Sequence, residues 1–144
     1  MTTGSPICLR SPAWFDRGFI TYQPEAKVEM IDVPAEMIRT EGVVSEPVAE
    51  AMARGALASS KADLSVALTG VAGPSGGTPE TPVGTVCLGW AERTDSGAIV
   101  TSVRTIHAPG DRRAVRLAAA MTALQGLIAL IDGADPMRMP SEYD

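Results

Sequence analysis

Cysteine and histidine are scarce here: the 144 residues include two cysteines, Cys8 and Cys87, and one histidine, His107. The cysteines lie far apart and form no Cys-x-x-Cys pair, and a single imidazole cannot complete a ligand set with them, which argues against a metal site. Cys87 alternates with Val86 and Leu88, the setting of a small buried thiol. His107 has no Gly-x-Ser-x-Gly elbow to serve, so a Ser-His-Asp triad is not indicated. No apolar run reaches the ~20 residues that span a bilayer, and no apolar stretch follows a basic start at the N-terminus. The expectation is a cytoplasmic protein without a membrane partner. Lysine and arginine form no block, and 17 acidic residues against 12 basic ones give a net charge of −5. That balance argues against nucleic acid as a partner. No unit repeats along the chain.

What is present is enough for one domain with a real core, with 45% of residues hydrophobic. The most informative stretch is Thr69-Gly70-Val71-Ala72-Gly73-Pro74-Ser75-Gly76-Gly77. It follows the strand-like run Leu64, Val66, Leu68 and precedes a second such run, Gly84 to Trp90. Four glycines between two strand ends let backbone approach a ligand closely, and the prolines at 79 and 82 stiffen the return path.

Around this loop the chain divides readily. Gly18 to Tyr22 reads as a short strand, stopped by Pro24, and Glu25 to Ile31 as two helical turns that carry Lys27 near their start. Pro34 to Arg39 is a second short helix ending at Gly42. Ser45 is placed to cap a longer, alanine-rich helix. Residues 85–91 and 98–107 form a hairpin across a polar turn. Pro109-Gly110-Asp111 then opens a long helix in which Leu117, Met121, Leu124, Ile128 and Ile131 recur every three or four residues, and Gly133 ends it. The fold class is α/β: a three-layer α/β/α sandwich on a mixed sheet. The expected organisation is an atypical segment over 1–10, the domain over 11–132 and a loosely held tail over 133–144.

Several motifs, in this order, carry a resemblance. They are Ser11-Pro12-Ala13-Trp14-Phe15-Asp16-Arg17-Gly18, Thr21-Tyr22-Gln23-Pro24-Glu25-Ala26-Lys27, Gly42-Val43-Val44-Ser45-Glu46-Pro47, the glycine loop, Pro82-Val83-Gly84-Thr85-Val86 and Gly110-Asp111-Arg112. Together they closely resemble the C-terminal domain of the competence/damage-inducible protein CinA, a family that also occurs as stand-alone nicotinamide mononucleotide deamidases. The resemblance covers about residues 11 to 132. It implies hydrolysis of the carboxamide of nicotinamide mononucleotide to nicotinic acid mononucleotide and ammonia, a step of pyridine-nucleotide salvage, with no cofactor and no metal. It also implies a homo-oligomer whose partner molecule is a pyridine nucleotide.

Family members use a hydroxyl nucleophile assisted by a lysine, and that lysine falls on Lys27, with Tyr22 as the motif's aromatic hydroxyl. A lysine kept neutral by burial can accept a hydroxyl proton. The backbone of Gly70, Ala72, Gly73, Ser75, Gly76 and Gly77 is the expected substrate cradle, and Arg112 the expected partner of the nucleotide phosphate. Arginine in a first helical turn opposes the helix dipole, which favours an anionic ligand there.

One departure matters. The family's Glu-Ser-x-Thr-Gly-Gly motif, whose serine is the nucleophile, has no counterpart in this sequence. The expectation is therefore weak or absent turnover, with the nucleophile supplied from outside these residues or replaced by Ser75, Thr69, Ser45 or Ser5. The alternative is a non-catalytic nucleotide-binding or assembly module. Ser45 has a competing role as a helix cap, and Lys27 taken outside its motif is an ordinary helix lysine.

Overall fold

The computed structural model describes residues 14–144. The segment 1–10 and Ser5 lie outside them. Among the described residues after Trp14, three helices come first: α1 (Pro24–Ile31), α2 (Ala35–Glu41) and α3 (Glu46–Ala58). Strands β1 (Leu64–Gly70), β2 (Thr85–Arg93) and β3 (Ile99–His107) follow, then α4 (Arg112–Ile131) and a short 3-10 turn, Pro136–Arg138. The ends are set by local chemistry. Pro24 occupies the first turn of α1, where its missing N–H costs nothing. The Ser45 hydroxyl accepts from the Val48 N–H at 3.4 Å to cap α3, and the Asp111 carboxylate accepts from the Ala114 N–H at 2.9 Å to cap α4.

The sheet has the order β1-β2-β3, with both described pairs antiparallel, Leu68 opposite Leu88 and Leu88 opposite Arg104. Alternation sends Ser65, Cys87 and Ala91 to one face and Val66, Leu88 and Trp90 to the other. Helix α3 covers the first face, its Ala53 carbonyl accepting from the Ser65 hydroxyl at 2.7 Å. On the second face, the Ala123 carbonyl of α4 accepts from the Trp90 indole at 3.0 Å. The result is the expected α/β/α sandwich with two apolar clusters, one centred on Leu57 and Val48 and the other on Trp90 and Ile106. Each large side chain fully buried there contributes about 1.5–3 kcal/mol.

The architecture departs from the sequence expectation in four places. Residues 18–22 form no strand: Ile20 is 88% and Tyr22 83% exposed, and the segment pairs with nothing described. A strand exists only by its ladder, and with this one unformed the described sheet is antiparallel rather than mixed. The ladder phase, fixed by the bonds of Val71 to Thr85 and of Arg93 to Asp63, points the backbone of Leu64, Val66, Leu68 and Gly70 to the outer side of β1, where no described strand meets it.

Helix α4 provides the second and third differences. The large residues of its three-four repeat do not face the sheet; Leu127 and Leu130, outside that repeat, pack partly against the Trp90 cluster. Leu117, Met121, Leu124, Ile128 and Ile131 are exposed, while Val115, Ala118, Ala119, Thr122, Ala123 and Gly126 are buried. The cause is Trp90, whose indole fills the space under the helix; a Cβ on Gly126 would come within 2.2 Å of it. Only the small-residue side of α4 can approach the sheet. The same helix is also long and apolar enough, by length and composition alone, to cross a membrane, contrary to the expectation drawn from apolar runs.

The fourth difference is the tail, which is held down rather than loose. Pro136 is fully buried, and the buried Arg104 pairs with the Asp144 carboxylate and donates to the Met139 carbonyl at 3.0 Å. The His107 N–H donates to the Tyr143 carbonyl at 2.8 Å, extending backbone pairing beyond β3.

Candidate active site

Of the two lysines in the chain, Lys27 is buried and Lys61 exposed. Lys27 stands in the first turn of α1, and its Nζ donates to the carbonyl of Thr21, on the segment that enters the helix. No carboxylate among the described residues pairs with it. Burial disfavours its charged form and holds its pKa below the usual lysine range. An amine so placed has more of the free-base form that a proton acceptor needs. Tyr22, next to Thr21, turns outward, and no hydrogen bond links its hydroxyl to Lys27.

The glycine loop is anchored at both ends and open in the middle. Val71 exchanges backbone bonds with Thr85 and Gly84, at 2.9 and 2.7 Å, and Thr78 donates to the Thr81 carbonyl at 2.9 Å. Between these anchors the N–H groups of Ala72, Gly73, Ser75, Gly76 and Gly77 have no acceptor among the described residues. Gly73, with φ of 78°, is required as glycine: a Cβ there would stand 2.5 Å from the Val83 side chain. Gly73 is buried, whereas Gly70, Ser75, Gly76 and Gly77 are exposed and Ala72 is half-buried.

Arg112 reaches this loop. Its guanidinium donates to the Gly73 carbonyl at 3.0 Å, which brings the first turn of α4 beside the loop. Free loop N–H groups, a helix N-terminus and a guanidinium are the ingredients of an anion cradle. No hydrogen bond or ion pair among the described residues joins this cradle to Lys27.

The other candidate hydroxyls are already committed or isolated. Ser45 caps α3 and donates to the Gly42 carbonyl at 2.8 Å, and Thr69 donates to the Val43 carbonyl at 2.7 Å. Ser75 is exposed on the loop. Sequence reasoning overlooked Thr85, the first residue of β2, whose buried hydroxyl has no partner among the described residues. Its alternation with Cys87, just after the loop, was the available signal. Cys87 is a buried thiol 3.5 Å from the Thr105 hydroxyl, its pKa raised by burial. His107 ends β3, exposed and away from any nucleophile arrangement. An open hollow of about 580 Å³ lies elsewhere, lined by Gly133, Asp135, Arg138 and Pro140, and brings none of these groups together.

These features define an α/β sandwich domain with a buried lysine that meets no carboxylate among the described residues on one element, and a glycine loop with free backbone N–H groups beside Arg112 on others. The chain matches the CinA C-terminal domain over residues 10–131 and belongs to that family. It is 48% identical over 117 residues to the nicotinamide-nucleotide amidohydrolase PncC of Escherichia coli K12, an alignment covering 81% of this chain and 68% of that protein. It is 46% identical over 118 residues to a CinA-like protein of Chlorobaculum tepidum, covering 82% of this chain and 28% of the relative. The chain thus spans little more than a quarter of the longer curated relatives it matches. Among solved structures it is similar to the competence damage-inducible protein A of Klebsiella pneumoniae, with a TM-score of 0.78, 34% identity and coverage of 88% of this chain and 76% of that one. It is also similar to a competence/damage inducible protein of Agrobacterium tumefaciens, with a TM-score of 0.73, 44% identity and coverage of 81% and 68%.

Proposed function

We propose that this chain is the substrate-binding and proton-transfer part of an amidohydrolase acting on nicotinamide mononucleotide. The observation that carries the reading is Lys27: a buried lysine whose amine donates to a carbonyl and meets no carboxylate among the described residues, with its pKa lowered, in a chain nearly half identical to a protein named as a nicotinamide-nucleotide amidohydrolase. In this reading a hydroxyl oxygen attacks the carboxamide carbon while Lys27 takes its proton. Lys27 then returns that proton to the departing nitrogen, which leaves as ammonia, and water releases the acid product from the acyl intermediate. The loop N–H groups at 72–77 and Arg112 hold the phosphate of the nucleotide.

No hydroxyl among the described residues is hydrogen-bonded to the Lys27 amine. The expected turnover of the 144-residue chain is accordingly far below that of a longer relative, because positioning alone does not replace a nucleophile. The second reading, a non-catalytic nucleotide-binding or assembly module, draws on the cradle and on the outward backbone of β1. Ammonia release from nicotinamide mononucleotide by the purified chain, beside Lys27→Ala, separates the two. Slow release abolished by Lys27→Ala supports the enzyme. Binding of the nucleotide that is unchanged in Lys27→Ala, with no release even when the chain is extended by a relative's Glu-Ser-x-Thr-Gly-Gly segment, supports the module and removes the amidohydrolase reading.

A further inference from the structure

The C-terminal tail and the glycine loop meet on one row of backbone hydrogen bonds. The His107 N–H donates to the Tyr143 carbonyl at 2.8 Å, the Ala108 N–H to the Gly84 carbonyl at 2.9 Å, and the Gly84 N–H to the Val71 carbonyl at 2.7 Å. The row runs from the tail, across the adjoining ends of β3 and β2, to the residue from which the loop departs. Side chains repeat the connection. Met139 and Tyr143 of the tail and Ala72 of the loop pack, half-buried, against one apolar cluster that contains Val86, Ile106, Ala108 and Val115. The strand ends between them are in close contact: a Cβ on Gly84 would stand 2.3 Å from the Ala108 carbonyl oxygen, so a shift of one moves the other. From Ala108 the chain passes directly to Arg112, whose guanidinium holds the Gly73 carbonyl.

We propose that residues 136–144 are a strap that positions the anion cradle, so that docking of the tail and binding of a phosphate-bearing ligand favour one another. The free N–H groups between 72 and 77 act together on one anion only while their directions are fixed, and the row through Val71, Gly84, Ala108 and Tyr143 fixes the base of the loop. The strap is anchored away from the ligand. Arg104 donates to the Met139 and Pro136 carbonyls, at 3.0 and 3.4 Å, and pairs with the Asp144 carboxylate. It is a positioning residue, since its bonds go to the tail and none to the loop. The family match ends at residue 131, so the resemblance carries no information about this contact. The proposal rests on the anion cradle of the reading above and is independent of its hydrolytic step.

The test is titration calorimetry of the 144-residue chain, Arg104→Met and Gly126→Ala, at a temperature where circular dichroism shows all three folded. Nicotinamide mononucleotide and inorganic phosphate are titrated in parallel. Gly126→Ala is the control: it disturbs the fold at Trp90 and is bonded to neither tail nor loop. Affinity is expected to fall about 10-fold in Arg104→Met, a usual size for coupling between two sites, and less than about threefold in Gly126→Ala. Coupling is reciprocal, so saturating ligand should slow hydrogen exchange of the His107 amide in the parent chain, read by NMR, by about the same 10-fold. That amide reports the bond to the tail directly, and a tail that merely adds stability would leave it unmoved. Binding of phosphate without the nucleotide counts against the amidohydrolase reading alone, and the strap is then judged on phosphate. Binding of neither overturns the strap. So does parental affinity in Arg104→Met, an equal loss in Gly126→Ala, or a His107 amide indifferent to the ligand.

Discussion

Arg112 donates a 3.0 Å hydrogen bond to the carbonyl of Gly73, so the first turn of α4 and the glycine loop form one unit although 39 residues separate them. The guanidinium has five N–H donors, and this bond uses one of them, leaving the rest to meet an anion.

Arg112→Met therefore both loosens the loop and removes a charged donor. Titration calorimetry with nicotinamide mononucleotide is expected to show binding weakened by roughly 10-fold to 100-fold, the value of one charge-assisted hydrogen bond. Arg113→Met, one residue along and not bonded to the loop, is the control and should change affinity by less than about threefold. Equal losses in both variants would mean that only the general positive charge of this end of α4 matters.

Gly126→Ala tests the packing of α4. Alanine ordinarily favours a helix over glycine by about 1 kcal/mol. Here its methyl would sit 2.2 Å from the Trp90 indole, and neither the buried ring nor the helix backbone can yield cheaply. The expected net effect is a loss of about 1–3 kcal/mol in urea unfolding. Trp90→Leu in the same chain should offset part of that loss, giving a clearly non-additive double mutant. Simple additivity would show that the two positions do not share this space.

That pair also explains what could be read from the sequence. Local rules found the cap Ser45, the start of the long helix at Pro109-Gly110-Asp111, the alternation of Leu64, Val66 and Leu68, and the hairpin, because each depends on neighbours within a few residues. The family resemblance singled out Lys27, whose burial no composition reveals. The buried face of α4 was not legible. Periodicity assigns the largest residues to the core, but Trp90, some thirty residues earlier in the chain, leaves room only for small residues such as Ala119, Thr122, Ala123 and Gly126 where the helix crosses it. The strand at 18–22 failed for a related reason: its apolar pattern is local, while its ladder needs a partner. The pairing of Arg104 with Asp144, forty residues apart, left no trace in spacing at all.

Lys27 makes a prediction about pH. Its pKa is lowered in the folded chain, so between the folded and unfolded pKa values the unfolded state holds more protons, and stability rises with pH across that interval. Below the folded pKa the cost of burying the charge is present in full. Lys27→Met removes that cost, so the variant should be more stable than the parent at pH 7, with the gap narrowing as pH rises and the parent's amine becomes neutral. Thermal unfolding across that range checks it. A gap that widens with pH would mean the amine is stabilised in its charged form.

The tail gives the last prediction, with the opposite sign. Arg104 holds the Asp144 carboxyl below the usual carboxylate range, so their contact is intact at neutral pH and is lost as pH falls below the unfolded value of 3.8 and through the lower folded one. Because Asp144 is exposed, this change alone is small. Arg104 matters more: it also donates to the Met139 and Pro136 carbonyls, at 3.0 and 3.4 Å, from a buried position. Arg104→Met leaves those acceptors without their donor and is expected to cost about 2 kcal/mol. Asp144→Asn should cost far less, since the carbonyl bonds survive. Limited proteolysis followed by mass spectrometry separates the effects: cleavage near Arg138 should become rapid in Arg104→Met and stay slow in Asp144→Asn. Equal cleavage in both would place the anchor of the tail in the terminal ion pair rather than in the carbonyls.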